Sequence, residues 1–220
     1  MAMATATLTI NSKNYGAWSL RGWLMCKLAG LEIEEVVLSS DDPQTRAELL
    51  LLSSSFLVPR LEHDGVTVWD TLAIGEYLNE KFPDAELLPT EPVARAHCRS
   101  VSGEIHSGFS TLRAALPMHA NARFPGFLVW SGAQGDIDRV VAIWHGCLSE
   151  SGGPYLFGDN PTMADAMFAP VCSRFVTYDI SLDEPCTNYV HTIMGMPAMK
   201  EWMTAAAAEP DDLEELDAEF

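Results

Sequence analysis

The sequence predicts an α/β unit followed by an all-α unit, and three observations carry that reading. Short β-rich and helical segments follow one another in the order βαβαββα and close near Phe82. Pro83 to Pro92 then brings proline and acidic residues, with Leu87-Leu88 as the only strong apolar pair, which is the composition of a linker. Every apolar pattern beyond it has helical spacing. The expected boundaries are 1–83 for the α/β domain, 84–92 for the linker and 93–220 for a helical bundle with an acidic tail; a chain of 220 residues accommodates two small domains.

In the first unit, Leu8-Thr9-Ile10 makes a short strand, and the polar, small stretch from Asn11 to Ala17 leads into Trp18, Leu20, Trp23, Leu24 and Leu28 at helical spacing. Gly30 ends that helix, being suited to a left-handed position. Glu35 to Leu38 is a second strand, and Asp41-Asp42-Pro43 opens a short helix. The unit is organised around the stretch from Phe56 to Phe82. Val58 to His63 and Val66 to Trp69 are β-rich runs separated only by Asp64-Gly65, a dipeptide that tolerates the positive φ angles of a tight hairpin. Pro59 opens the first run, where a missing N–H is tolerable, and is a candidate for a cis bond that turns the backbone of Val58 towards a ligand. Asp70-Thr71 favours a helix N-terminus, and Ile74, Tyr77, Leu78 and Phe82 continue it. Ala73 and Ile74 stand where a capping box would need Glu or Gln, so backbone N–H groups there are expected to stay open to an anion.

In the second unit, Ala94, Cys98, Val101, Ile105, Phe109, Leu112 and Leu116 form one stripe, predicting a continuous helix that stops at Pro117. Ile137 to Leu148 forms another, ended by Gly152-Gly153-Pro154. Thr162 and Asp165 have the spacing of reciprocal caps for a helix running through Pro170, where a kink is expected, to Phe175. Helices around Tyr189 to Met194 and Ala198 to Ala208 complete a bundle.

Composition narrows the function. A formal charge of −18, from 31 acidic against 13 basic residues, repels phosphate backbones and anionic lipid, so neither nucleic acid nor membrane is an expected partner. No basic n-region and no apolar run of membrane length is visible, which predicts a cytoplasmic protein. The five cysteines are scattered and make no Cys-x-x-Cys, so reduced, mostly buried thiols are expected. No cysteine occupies the first loop, which argues against thiol–disulfide chemistry, and no metal site is suggested by the scattered histidines.

Asn14-Tyr15-Gly16-Ala17-Trp18-Ser19-Leu20-Arg21, Val58-Pro59, Trp69 to Ile74, and the Thr162 to Asp165 box, in this order and followed by an all-helical half, resemble the cytosolic glutathione S-transferase family over nearly the whole chain. Ala164 to Pro170 is similar to a common bacterial branch with a serine-type first loop. The resemblance implies a thioredoxin-like domain that binds glutathione as co-substrate without a metal, a helical domain that supplies the second-substrate pocket, a small electrophilic molecule as partner substrate, and a homodimer.

Glutathione's γ-glutamyl end is a zwitterion. The helix N-terminus and the Thr71 hydroxyl suit its carboxylate, and Asp70 suits its ammonium, although the pair also makes an ordinary helix cap. Val58 before a cis Pro59 pairs with the cysteinyl amide in the family. The thiol, near pKa 8.5 when free, has to be stabilised as thiolate at the first loop. Relatives place a serine where Gly16 stands, and often another where Ala17 stands; neither hydroxyl is present. Tyr15, Ser19, Asn14, Arg21 and the backbone N–H groups of Gly16 to Trp18 remain, with Tyr15 and the amides favoured. Ser19 also suits a cap, Trp18 packing, and Arg21 a structural ion pair. Relatives often carry a lysine for the glycyl carboxylate where Leu57 stands, and losing such a contact weakens binding by roughly 1.5 to 3 kcal/mol. His106, Phe109, Arg113, Met118 and His119 are candidates for the second-substrate pocket, the cations suiting an anionic or carbonyl-bearing substrate.

Two functions follow. One is an enzyme that adds glutathione thiolate to an electrophilic carbon, in conjugation or in glutathione-dependent isomerisation. The other is a binding or scaffold protein that keeps the fold without the activating serine. Gly16, Ala17 and Leu57 lean towards the second, Val58-Pro59 and Asp70-Thr71 towards the first.

Overall fold

The structure, a computed structural model, describes residues 6–38 and 58–209. The short helix expected at Asp41, the Ser53 to Leu57 turn and the acidic run from Asp211 lie outside them. The four strands β1 (Ala6–Ile10), β2 (Ile33–Val37), β3 (Arg60–His63) and β4 (Val66–Trp69) form one mixed sheet in the order β2-β1-β3-β4. β1 and β2 run parallel with Ala6 opposite Ile33, across a helical connection, while β3 is antiparallel to both β1 and β4. Asp64 and Gly65 take φ angles of 51° and 74°, the mirror-image turn that a two-residue hairpin needs.

α1 (Ala17–Leu28) has no polar face: Leu20, Trp23, Leu24, Met25 and Cys26 are all fully buried, because the sheet covers one side and the helical half the other. α2 (Thr71–Lys81) leaves β4 directly. A Cβ on Gly22 of α1 would come within 2.5 Å of Pro59 Cγ, so glycine there brings α1 against the bend that precedes β3.

The stretch between the halves is packed rather than loose. Leu87 and Leu88 are buried, Leu87 O accepts from Met163 N at 2.7 Å, and Leu88 N donates to Asn79 Oδ1. Beyond it come α3 (Pro92–Ser107), α4 (Ser110–Ala115), α5 (Ser131–Ser151), α6 (Met163–Thr177), α7 (Glu184–Gly195) and α8 (Pro197–Ala206). The continuous helix expected to Pro117 is therefore two helices. Gly108 ends the first, and Phe109, at φ 63°, turns the chain before the second. The apolar stripe misses this break because Ile105, Phe109 and Leu112 are all buried on either side of it.

α6 is the central pillar, passing through Pro170 with nearly every side chain buried. Its reciprocal cap is present. Asp165 Oδ2 accepts from Thr162 N at 2.8 Å, while Oδ1 accepts from Leu156 N and from the Tyr189 hydroxyl. Burial pushes the Asp165 carboxyl above its ordinary range, against the pull of these donors. The five cysteines are free and buried.

Candidate active site

Where the end of α3 crosses the start of α2, a cavity of about 360 Å³ is lined by Trp18, Val58, Pro59, Asp70, Thr71, His106 and Ser107. That volume lies in the range of small-molecule sites, roughly 300 to 1,000 Å³. The Val58–Pro59 peptide is cis, and both residues face the cavity. Five of the six glutathione-binding candidates, Trp18, Val58, Pro59, Asp70 and Thr71, are thus brought together, Gly16 of the first loop being the exception, and His106 joins them from the helical half.

Asp70 caps α2 with its own side chain. Oδ1 accepts from Leu72 N at 2.8 Å and from Ala73 N at 3.3 Å, so the expectation of open amides there is corrected: an Asp at this position serves them itself. Oδ2 lies 3.1 Å from His106 Nε2, and Thr71 Oγ1, on a buried residue, lies 3.2 Å from His106 Nδ1. The ring also stands edge-on to Trp18 at 5.0 Å. Burial lowers the His106 pKa; Asp70 opposes this, while the Arg21 and Arg113 charges reinforce it. A neutral ring donating from Nε2 to Asp70 and accepting at Nδ1 from Thr71 satisfies all three side chains. The sequence assigns His106 to the second-substrate pocket; the fold sets it against the pair chosen for the γ-glutamyl group.

The arginines are framework. Arg21 is fully buried, donates from Nε to Met167 O at 2.9 Å, and stacks its guanidinium 4.2 Å from the Trp18 ring centre. Arg113 donates to the carbonyls of Ile105, His106 and Gly108, closing the last turn of α3, and its guanidinium lies 5.2 Å from the Trp18 ring centre. Both hold Trp18 and His106 in place. Phe109 and Met118 are core residues. His119 packs against the Tyr15 ring at 5.0 Å and against Phe124 at 6.3 Å.

In the loop from β1 to α1, Gly16 N donates to Ser12 O and Ala17 N to Tyr15 O, so two of the three amides proposed for a thiolate already have acceptors within the loop. Ser19 is fully buried and its hydroxyl donates to Asn11 Oδ1 while accepting from Asn11 N, a tie within the loop rather than a helix cap. Gly16 has no room for a side chain: a Cβ would come 2.1 Å from Asn11 Oδ1 and 2.3 Å from Ser12 O. Ser107, which sequence reasoning did not single out, lines the cavity one residue after His106 and donates its hydroxyl to Gly103 O.

Among the described residues, His145, Asp183 and Cys186 group ligand types suited to a metal. They serve one another: Asp183 caps α7 by accepting from Cys186 N and pairs with His145, and the Cys186 thiol is pushed up to about 12 by burial and by Asp183.

Comparison with known proteins agrees with this layout. Residues 15–81 match the family model for the glutathione S-transferase N-terminal domain, and residues 102–205 the model for its C-terminal domain. The maleylacetoacetate isomerase of Rattus norvegicus is 30% identical over 202 residues, covering 91% of this chain and 92% of that one. A glutathione transferase homolog from Burkholderia gl BGR1, solved with bound glutathione, superposes with a TM-score of 0.70 at 23% identity, over 93% of this chain and 100% of that chain. The maleylacetoacetate isomerase from Anaeromyxobacter dehalogenans 2CP-1, solved with bound dicarboxyethyl glutathione and citrate, superposes at 0.64 with 22% identity, over 97% and 96% of the two chains. With both domain models matched in order along the fold they describe, the chain belongs to the glutathione S-transferase family.

Proposed function

We propose that this protein is a glutathione-dependent enzyme that adds the glutathione thiolate to an electrophilic carbon of a small substrate. The product is a thioether, or an isomerised double bond where the addition reverses. One observation carries the reading: the cis Val58–Pro59 peptide, the Asp70-Thr71 pair and Trp18 open onto a single cavity between the two halves. Thr71 suits the α-carboxylate of glutathione, Asp70 its ammonium, and the Val58 backbone its cysteinyl amide. Relatives that are maleylacetoacetate isomerases favour reversible addition, which needs no leaving group and returns glutathione unchanged.

The thiolate then falls to Tyr15 and the N-terminal amide of Trp18 at the start of α1, helped by the helix dipole. Each unit of thiol pKa depression takes about 1.4 kcal/mol of preferential interaction with the anion. We place the chain in the branch with a serine-type first loop, Gly16 and Ala17 standing at the serine positions. A homodimer is part of the same proposal.

Thermal-shift titration with glutathione, paired with turnover on a panel of electrophiles and on a cis–trans diacid substrate, tests it. At about 10 mM glutathione even a millimolar Kd stabilises by ~1.4 kcal/mol, a readable shift. Thr71→Ala is expected to weaken the shift, and Tyr15→Phe to keep it while lowering turnover. No shift and no turnover in the wild type sinks the proposal.

A further inference from the structure

We propose that Glu209, just past the end of α8, is a positioning residue for the first loop, and that it sets where the thiolate donors stand; its catalytic meaning rests on the function proposed above. The Glu209 carboxylate accepts three hydrogen bonds from that loop: Lys13 N to Oε1 at 2.7 Å, Ser12 Oγ to Oε2 at 2.7 Å, and Asn14 N to Oε2 at 3.0 Å. Two successive backbone N–H groups and a hydroxyl make an anion cradle, and a carboxylate bonded by three donors is held far more firmly than one neutral contact would hold it.

The same end of the chain grips the other side of the same peptide. Trp202 Nε1 donates to Lys13 O at 2.9 Å, and Asn121 joins the ensemble, donating from Nδ2 to Ala206 O and from its backbone N to Asn14 Oδ1. The Lys13 side chain pairs with Glu35 and lies over the Trp23 and Trp202 rings. Ser12 passes this anchorage on. Its hydroxyl donates to Glu209 and accepts from Asn14 N and Tyr15 N, and its carbonyl accepts from Gly16 N at 2.8 Å. Glu209 therefore acts through Ser12 on Tyr15 and Gly16, the residues that lead into the first turn of α1, without being assigned any contact to substrate. Misplacing a reacting group by a fraction of an ångström is enough to slow chemistry without loosening binding.

The test uses the full chain with Glu209→Ala and Glu209→Gln, the amide keeping one acceptor oxygen. Amide hydrogen exchange at Lys13 and Asn14 reports on the loop, and kcat and the glutathione Kd report on function. The expected result is faster exchange at both amides, a kcat about tenfold lower in Glu209→Ala, a smaller loss in Glu209→Gln, and a glutathione Kd within about twofold of wild type. The pH at which kcat/KM is half-maximal should move upward, since the thiolate loses stabilisation. Unchanged exchange overturns the proposal. So does faster exchange with unchanged kcat, and so does a fall in kcat matched by an equal loss of glutathione binding, which would make Glu209 a general fold element. A wild type that neither binds nor turns over glutathione sinks the functional reading instead, and the exchange measurement still decides whether Glu209 holds the loop.

Discussion

His106 and Asp70 meet across the two halves of the chain, Nε2 standing 3.1 Å from Oδ2, while the far nitrogen of the same ring reaches Thr71. Burial holds the His106 pKa below its usual 6.5. The unfolded chain therefore takes up the proton first, so stability from this residue is complete above pH 6.5 and is lost as the pH falls below it. His106→Asn is expected to flatten the dependence of Tm on pH below about 6.5. Once protonated, the ring and the ammonium of glutathione compete for one carboxylate. Glutathione affinity should fall with pH in the wild type and less in the variant, as calorimetric titration at several pH values will show.

Asp70 has two tasks that one pair of substitutions separates. Asp70→Asn keeps an oxygen for Leu72 N and Ala73 N, and its Tm should stay near wild type while the glutathione Kd rises about tenfold, the size of a lost charge-assisted contact. Asp70→Ala loses both, and about 1 kcal/mol of stability should go with the cap. Equal binding losses without the Tm difference would show that the cap is idle.

Gly16→Ser is expected to fail as a repair of the first loop. The new Cβ meets the Ser12 carbonyl and the Asn11 side chain, both tied into the loop, and overpacking of this kind destabilises by roughly 1 to 3 kcal/mol. Denaturant unfolding should show that loss together with lower, not higher, kcat.

Arg113 should behave as a clamp on α3. Its planar fork reaches three carbonyls, which a lysine ammonium does not reproduce, so Arg113→Lys should lower Tm and, by loosening the turn that carries His106, weaken glutathione binding. If it instead changed only the KM of the electrophile, Arg113 would belong to the substrate and not to the helix.

What was legible in the sequence is what neighbours decide among themselves. The Asp64-Gly65 hairpin, the bend at Pro59 and the Thr162–Asp165 box depend on groups a few residues apart, and each stands as the residue types imply. The break at Gly108–Phe109 was hidden, because an apolar stripe looks the same whether the backbone beneath it is continuous or turned. The contacts of His106 with Asp70 and Thr71 are hidden for a related reason: they depend on how α3 crosses α2, and no local pattern carries a crossing. Glu209 and Ser12 lie 197 positions apart, and nothing in either neighbourhood announces the other.

The buried Leu87–Leu88 pair and the bond from Met163 N to Leu87 O also bear on how a ligand enters. A connector seated in the core leaves the two halves no hinge there, so a ligand meets a cleft whose width is already set, with Trp18 braced by the two arginines and His106 by Asp70 and Thr71 before anything arrives.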